Sequence, residues 1–149
     1  MKEYSGFIPE ITLKYKTGEH KKSKITSSVD SYNVFKSFYD ADLLELQECF
    51  IVVFLNKAHN TIGWIKISSG GISGTVADPK IIMATALKCA ASSVLLSHNH
   101  PSGNEKPSEN DINLTKKIKS ACTYFDIQLL DHIILTNENY YSFADNGII

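Results

Sequence analysis

Seven consecutive residues, Cys49-Phe50-Ile51-Val52-Val53-Phe54-Leu55, carry no charged or amide side chain and are rich in β-branched and aromatic types. A run this short and this apolar reads as a β-strand buried on both faces, because a strand with one wet face alternates apolar with polar residues. A sheet covered twice needs helices beside it, so the chain is expected to be an α/β sandwich.

The flanking pattern supplies those helices. Residues 11–16 and 24–27 read as short strands joined across Thr17-Gly18. Ser28 or Asp30 could then cap a helix running to about residue 40, with Val34, Phe35, Phe38 and Ala41 at helical spacing. Residues 61–68 should pair with the apolar run across Lys57-Ala58-His59-Asn60, and a Gly-rich loop, Ser69 to Gly74, follows. Asp78 before Pro79 is an N-cap and first-turn pair opening a helix to about Ala91, whose alanines 84, 86, 90 and 91 allow close approach to a sheet. Val94 to Ser97 is a short central strand. From Ser108 onward, Leu114, Ile118, Ala121 and Phe125 share one helical face. Ile127–Leu135 and Tyr140–Phe143 form a closing hairpin.

At 149 residues the chain is one domain's worth, read as a single unit over 1–149 with residues 1–45 as a lead-in. A net charge of -1 gives little support to a protein that grips duplex DNA through its phosphates. The densest basic run, Lys14 to Lys24, reads as a solvated hairpin edge carrying protective lysines. Cys49, Cys89 and Cys122 are odd in number and far apart, so they are expected to be reduced thiols of a cytoplasmic protein. Neither a leader at Met1–Glu10 nor a run of about 18 apolar residues is seen, so export and membrane spanning are not expected.

The chemistry is concentrated in His98-Asn99-His100-Pro101-Ser102-Gly103-Asn104-Glu105-Lys106-Pro107-Ser108-Glu109-Asn110-Asp111. Histidines at i and i+2 at a strand end project to the same side, so both imidazoles can reach one point. Asp111, in the first turn of the following helix, is the third donor. Two histidines and a carboxylate with a fourth position left for water suit a catalytic zinc, one per chain, better than a closed structural site. Ser108-Glu109-Asn110-Asp111 also reads as a capping box with Asp in place of Glu. For Ser108 alone capping is the better account, whereas for Asp111 a metal explains its spacing to both histidines and capping does not. Asn99, Ser102, Gly103 and Asn104 are expected to shape the loop, with Gly and Asn tolerating left-handed backbone. His20, His59 and His132 read as structural or exposed.

This spacing closely resembles the JAMM metalloprotease motif of the MPN (JAB) domain family. Within it, the run HNHPSGN, the following PSxxD, and the later LLDHIILT and YYSFADNGII look like the RadC-like branch, over roughly residues 8–149. The resemblance implies the MPN fold, similar to that of cytidine deaminases, with a mixed sheet packed between helices. It implies a zinc-dependent hydrolase of isopeptidase-like chemistry acting on a protein or peptide, and carries an old family label of DNA repair protein. In the family a glutamate at the start of a strand ahead of the motif is the general base. Glu48 occupies the matching place, at the mouth of the apolar run where it would be partly desolvated. Glu45 is the competing candidate in a more polar segment. Ser108 resembles the family serine that steadies the oxyanion.

Four other readings compete. His98, His100 and Glu105 also fit a cupin metal pattern, but the helices on either side of the motif argue against an all-β barrel. A nucleobase deaminase would need HxE and PCxxC, which the chain lacks. On the same fold, the chain could instead be a DNA-repair accessory or nuclease-like protein, or a metal-free scaffold. Longer relatives carry a helix-hairpin-helix segment that is not seen in the roughly 45 residues before Glu48, and the presence of all three donors and the glutamate argues against a scaffold.

Overall fold

The computed structural model describes residues 8–19, 21–70 and 76–149. Its elements in chain order are α1 (Ser28–Lys36), β1 (Cys49–Leu55), β2 (Thr61–Ser69), α2 (Pro79–Lys88), β3 (Ser93–Asn99), α3 (Glu109–Tyr124), β4 (Gln128–Leu135) and β5 (Tyr140–Ser142). The strands form one five-stranded sheet in the order β2-β1-β3-β4-β5. It is mixed: β3 and β4 run parallel and the other neighbours antiparallel. The α/β architecture expected from the sequence is therefore the one found, a mixed sheet with helices on its faces.

Every residue of β1 is buried, and so is every residue of β3. Alternation divides them between two cores. Phe50, Val52, Phe54, Val94 and Leu96 pack with Ile82, Met83 and Ala86 of α2 and Ile118 and Cys122 of α3. Ile51, Val53, Leu55 and Leu95 pack with Phe35 of α1 and Ile133 and Leu135 of β4. This period of two decides the face to which each residue at the end of β3 points.

Two expected elements differ. Residues 11–18 form no strand, and Lys24 makes only an isolated antiparallel bridge with Asn60, next to hydrogen bonds from Thr61 N–H to the Ser23 carbonyl and from Ile25 N–H to the His59 carbonyl. A free-standing two-stranded ribbon is marginal, and lysines on both arms would place like charges opposite one another. The residues before α1 therefore bond to the approach to β2, and Tyr15 donates its hydroxyl to the Ile62 carbonyl. Helix α1 stops at Lys36, four residues early, where the Ser37 hydroxyl turns back onto the Val34 carbonyl at 2.6 Å. Its N-cap is Ser27, with Asp30 inside the first turn. The expected turn histidine His20 and most of the Gly-rich loop, residues 71–74, lie outside the described residues.

Helices α2 and α3 end in the same way. After α2, Ala91 N–H bonds the Ala86 carbonyl and Ala90 N–H the Leu87 carbonyl, with Ala90 at φ 51°. After α3, Ile127 N–H bonds the Cys122 carbonyl and Asp126 N–H the Thr123 carbonyl, with Asp126 at φ 54°. Both are Schellman turns whose left-handed position holds a residue other than glycine. They feed the chain into β3 and β4, the two parallel strands at the centre. Left-handed backbone disfavours a Cβ. Ala90→Gly is expected to raise stability by about 0.5–1 kcal/mol, and Asp126→Gly by less because Asp tolerates the conformation better. A higher urea midpoint with an unchanged m-value would be the sign.

Candidate metal centre

His98 lies near the end of β3 on the face covered by α3, and His100 follows one residue past the strand. His98 is 1% exposed; His100 and Asp111 are half-buried. His100 is held by its own N–H to the Leu135 carbonyl at 3.0 Å, and its carbonyl accepts from Gly103 N–H at 3.0 Å. Gly103 sits at φ 78° with nothing within 4 Å of where a Cβ would be, so backbone conformation and not packing calls for glycine there.

Asp111 is delivered by the first turn of α3. The Ser108 hydroxyl accepts from Asp111 N–H at 3.1 Å, and the Asp111 Oδ2 accepts from Ser108 N–H at 2.7 Å, a reciprocal capping box. The same carboxylate reaches the histidines: Oδ1 is 3.3 Å from His98 Nε2, and Oδ2 is 3.5 Å from His100 Nε2. The two Nε2 atoms are 2.9 Å apart. Donors around a tetrahedral zinc at about 2.0–2.1 Å stand about 3.3–3.4 Å from one another. The two ring nitrogens and the carboxylate oxygens therefore already lie near the spacing that one such ion would impose, and the three residues form the metal-capable cluster found among the described residues. Glu105 takes no part in it.

Hydrogen bonding behind the rings fixes which nitrogens carry lone pairs. His100 Nδ1–H donates to the Asn104 carbonyl at 2.6 Å, leaving Nε2 as an acceptor. The Thr115 hydroxyl donates to the Asp111 carbonyl at 2.6 Å, so its oxygen can only accept from His132 Nδ1–H at 2.7 Å. His132 Nε2 is then the acceptor for His98 Nδ1–H at 2.8 Å, and His98 Nε2 faces the cluster as a lone pair. With both rings neutral, two imidazole lone pairs and a carboxylate converge, and their close approach requires a shared proton or a cation between them. A cation satisfies such a set, and this donor chemistry fits a divalent metal.

Without an ion, protons on the rings take the place of the cation. Burial would raise the Asp111 carboxyl, but hydrogen bonds from His100 and His98 outweigh it and hold the group well below the usual carboxylate range. Burial would lower His100, but Asp111 and the Asn104 carbonyl hold it above the usual imidazole range. Burial, aided by the neighbouring His98, pushes His132 well below that range, consistent with a neutral ring.

Glu48, half-buried just before β1, lines an open cleft of about 350 Å³ together with His100, Ser102, Asn104, Lys106 and Ser108. Glu45 is exposed and is not part of its lining. A larger cavity of about 690 Å³ between α1 and β2, lined by Phe38 and Trp64, contains no comparable set of titratable groups. The placement of Glu48 depends on Asn99, which is fully buried and points to the sheet face opposite the histidines. Its Oδ1 accepts from Cys49 N–H at 2.7 Å, and its Nδ2 donates to the Leu44 and Gln47 carbonyls at 2.7 and 2.9 Å. The amide therefore clips the backbone on both sides of Glu48 to the strand that leads into the histidine cluster.

Sequence reasoning missed Thr115 and left His132 without a specific role, and Asn99, expected to shape the loop, is instead the fully buried last residue of β3. Of the two expected readings, structural or exposed, His132 falls under the first: it is fully buried against His98. The available signal was a histidine and an aspartate inside the otherwise apolar Leu129–Leu135, since buried polar groups need partners. Naming the partner required the β3–β4 register, which sets Leu96 opposite His132.

Comparison with known proteins agrees with the fold and the motif. Residues 25–148 match the family model of the RadC-like JAB domain, and the chain belongs to that family. It is 42% identical over 129 residues to a UPF0758 protein of Flavobacterium johnsoniae, covering 86% of this chain and 55% of that protein. A UPF0758 protein of Aquifex aeolicus is 30% identical over 142 residues, covering 95% of this chain and 59% of its own length. One from Porphyromonas gingivalis is 39% identical over 131 residues, 87% and 56% of the two chains. The chain thus spans about half the length of the curated relatives it matches.

Removing the Asn99 amide would leave one N–H and two carbonyls without partners in the interior. Asn99→Ala is expected to cost about 2–4 kcal/mol, read as a lower urea midpoint, because unmatched buried groups forfeit their solvation. A cost below about 0.5 kcal/mol would show that the segment ending in Glu48 is held by other contacts.

Proposed function

We propose that this chain is a zinc-dependent hydrolase of the JAMM type, cleaving a peptide or isopeptide bond in the cytoplasm. The observation that carries the reading is the convergence of His98 Nε2, His100 Nε2 and the Asp111 carboxylate, all acceptors, beside a cleft that also contains Glu48 and Ser108. His98, His100 and Asp111 would hold the ion. Bound there, zinc supplies a Lewis acid and brings the pKa of a water to about 7.

Glu48 is the group placed to take a proton from the attacking water and return it to the leaving amine. Asn99 keeps its backbone in register with the donors. Ser108 Oγ uses a lone pair to cap α3, which leaves its O–H to donate to a carbonyl oxygen as that oxygen becomes anionic. Both functions of Ser108 thus coexist in one hydroxyl. The three free thiols are in keeping with a reducing compartment, and no helix among the described residues is long and apolar enough to cross a membrane. A metal-free scaffold would have no use for three converging acceptors.

Metal content and hydrolysis test this together. Protein purified without chelator should carry about one zinc per chain, lost when His98 and His100 are both changed to Ala. Glu48→Gln should keep the zinc and lose about 100-fold or more of the turnover of a quenched peptide and isopeptide pool. Full turnover by Glu48→Gln, or no metal uptake by the unaltered chain when zinc is supplied, would overturn the reading.

Ser108→Ala separates the two uses of that side chain. Loss of the cap is expected to cost about 1 kcal/mol of stability. The fall in kcat should be larger, about 10–100-fold, if the hydroxyl also meets the oxyanion.

A further inference from the structure

The cluster has a buried support that the ligand motif does not include. His132, fully buried in β4, touches His98 through one ring nitrogen and Thr115 through the other. Its ring stacks on Phe143 at 4.6 Å between centroids, and Phe50 lies edge-on at 5.5 Å, so apolar rings hold its plane. The hydrogen bonds form a chain that starts and ends on one residue. The Asp111 carbonyl accepts from Thr115, Thr115 Oγ1 accepts from His132, His132 Nε2 accepts from His98, and His98 Nε2 lies beside Asp111 Oδ1. A threonine hydroxyl has one hydrogen and a carbonyl can only accept, so His132 Nδ1–H must donate to Thr115, and with a neutral His132 its Nε2 accepts from His98.

We propose that His132, oriented by Thr115, is a positioning residue for the metal centre, holding His98 in the tautomer that presents Nε2 to the ion. The inference rests on the zinc-site reading given above. Most metal-bound histidines are backed by a carboxylate, a carbonyl or a water. Here the backing group is a neutral imidazole, which adds no negative charge behind the ligand and leaves Asp111 as the one anionic donor. Thr115 lies one helical turn beyond Asp111, so the ligand and the far end of its support sit on the same face of α3. Register does the rest: Leu96 faces His132 across the parallel β3–β4 pair, and His98 is the next residue of β3 on that face.

Zinc affinity reads this without any substrate. Competition titrations against a chromophoric zinc chelator would compare the unaltered chain with His132→Leu, His132→Gln and Thr115→Val. His132→Leu removes the acceptor and is expected to weaken zinc binding about 10–100-fold. His132→Gln offers an amide oxygen to His98 Nδ1–H and should recover most of that loss. Thr115→Val keeps shape and loses the hydroxyl; it leaves every ring in place and should weaken binding several-fold, which covers the case of a His132→Leu chain that does not fold. Wild-type affinity in both His132→Leu and Thr115→Val, or a His132→Gln chain as weak as His132→Leu, would overturn the proposal while leaving the zinc reading intact. Absence of zinc uptake by the unaltered chain would overturn both.

Discussion

The structure depends on a strand buried on both faces that ends in alternating functional residues. At His98, Asn99 and His100 the backbone directs two imidazoles to the α3 face and one amide to the α1 face. Neither side can shift alone. A one-residue slip of β3 would exchange the amide for an imidazole and dismantle both arrangements at once. The apolar residues before it, Val94 to Leu96, have neighbours on both sides, and this fixes the register on which the polar end relies.

Around that strand the polar groups are paired with little left over. Among the described residues no buried side-chain nitrogen or oxygen lacks a partner. Asn99 uses its acceptor and both donors, and Asp131 accepts from Ser142, His132 N–H and Ala144 N–H. In a low-dielectric interior, satisfied networks of this kind confer rigidity, and unsatisfied ones are costly. The converging acceptors of His98, His100 and Asp111 stand out against that background because their mutual arrangement is repulsive unless a positive charge lies among them.

Much of this was legible in the sequence where the determinant is local. The uninterrupted run Cys49–Leu55 specified a covered strand, Asp78-Pro79 a helix start, and Ser108 with Asp111 a cap. The spacing from His98 to Asp111 brought three donors into consideration because strand end, turn and first helical turn are contiguous. What could not be read depended on pairings distant in sequence. The early hairpin failed because residues near 24 found a better partner at Asn60 than in residues 11–16. His132 is 34 residues from His98, and Asn99 is 55 from Leu44. No periodicity encodes such distances.

The capping box at the start of α3 complicates any dissection of the cluster by mutagenesis. Asp111 Oδ2 ties down Ser108 N–H while Oδ1 faces His98, so helix initiation and ligation draw on the same carboxylate. If the cluster holds an ion as proposed, folding and ion uptake would be thermodynamically linked through one side chain: whatever orders the first turn of α3 would also assemble the third donor, and an ion that engages the donor would also favour the turn. A substitution at position 111 would report both effects mixed, whereas one at His100 would leave the helix cap in place and disturb only the loop bond to Asn104 besides the ion.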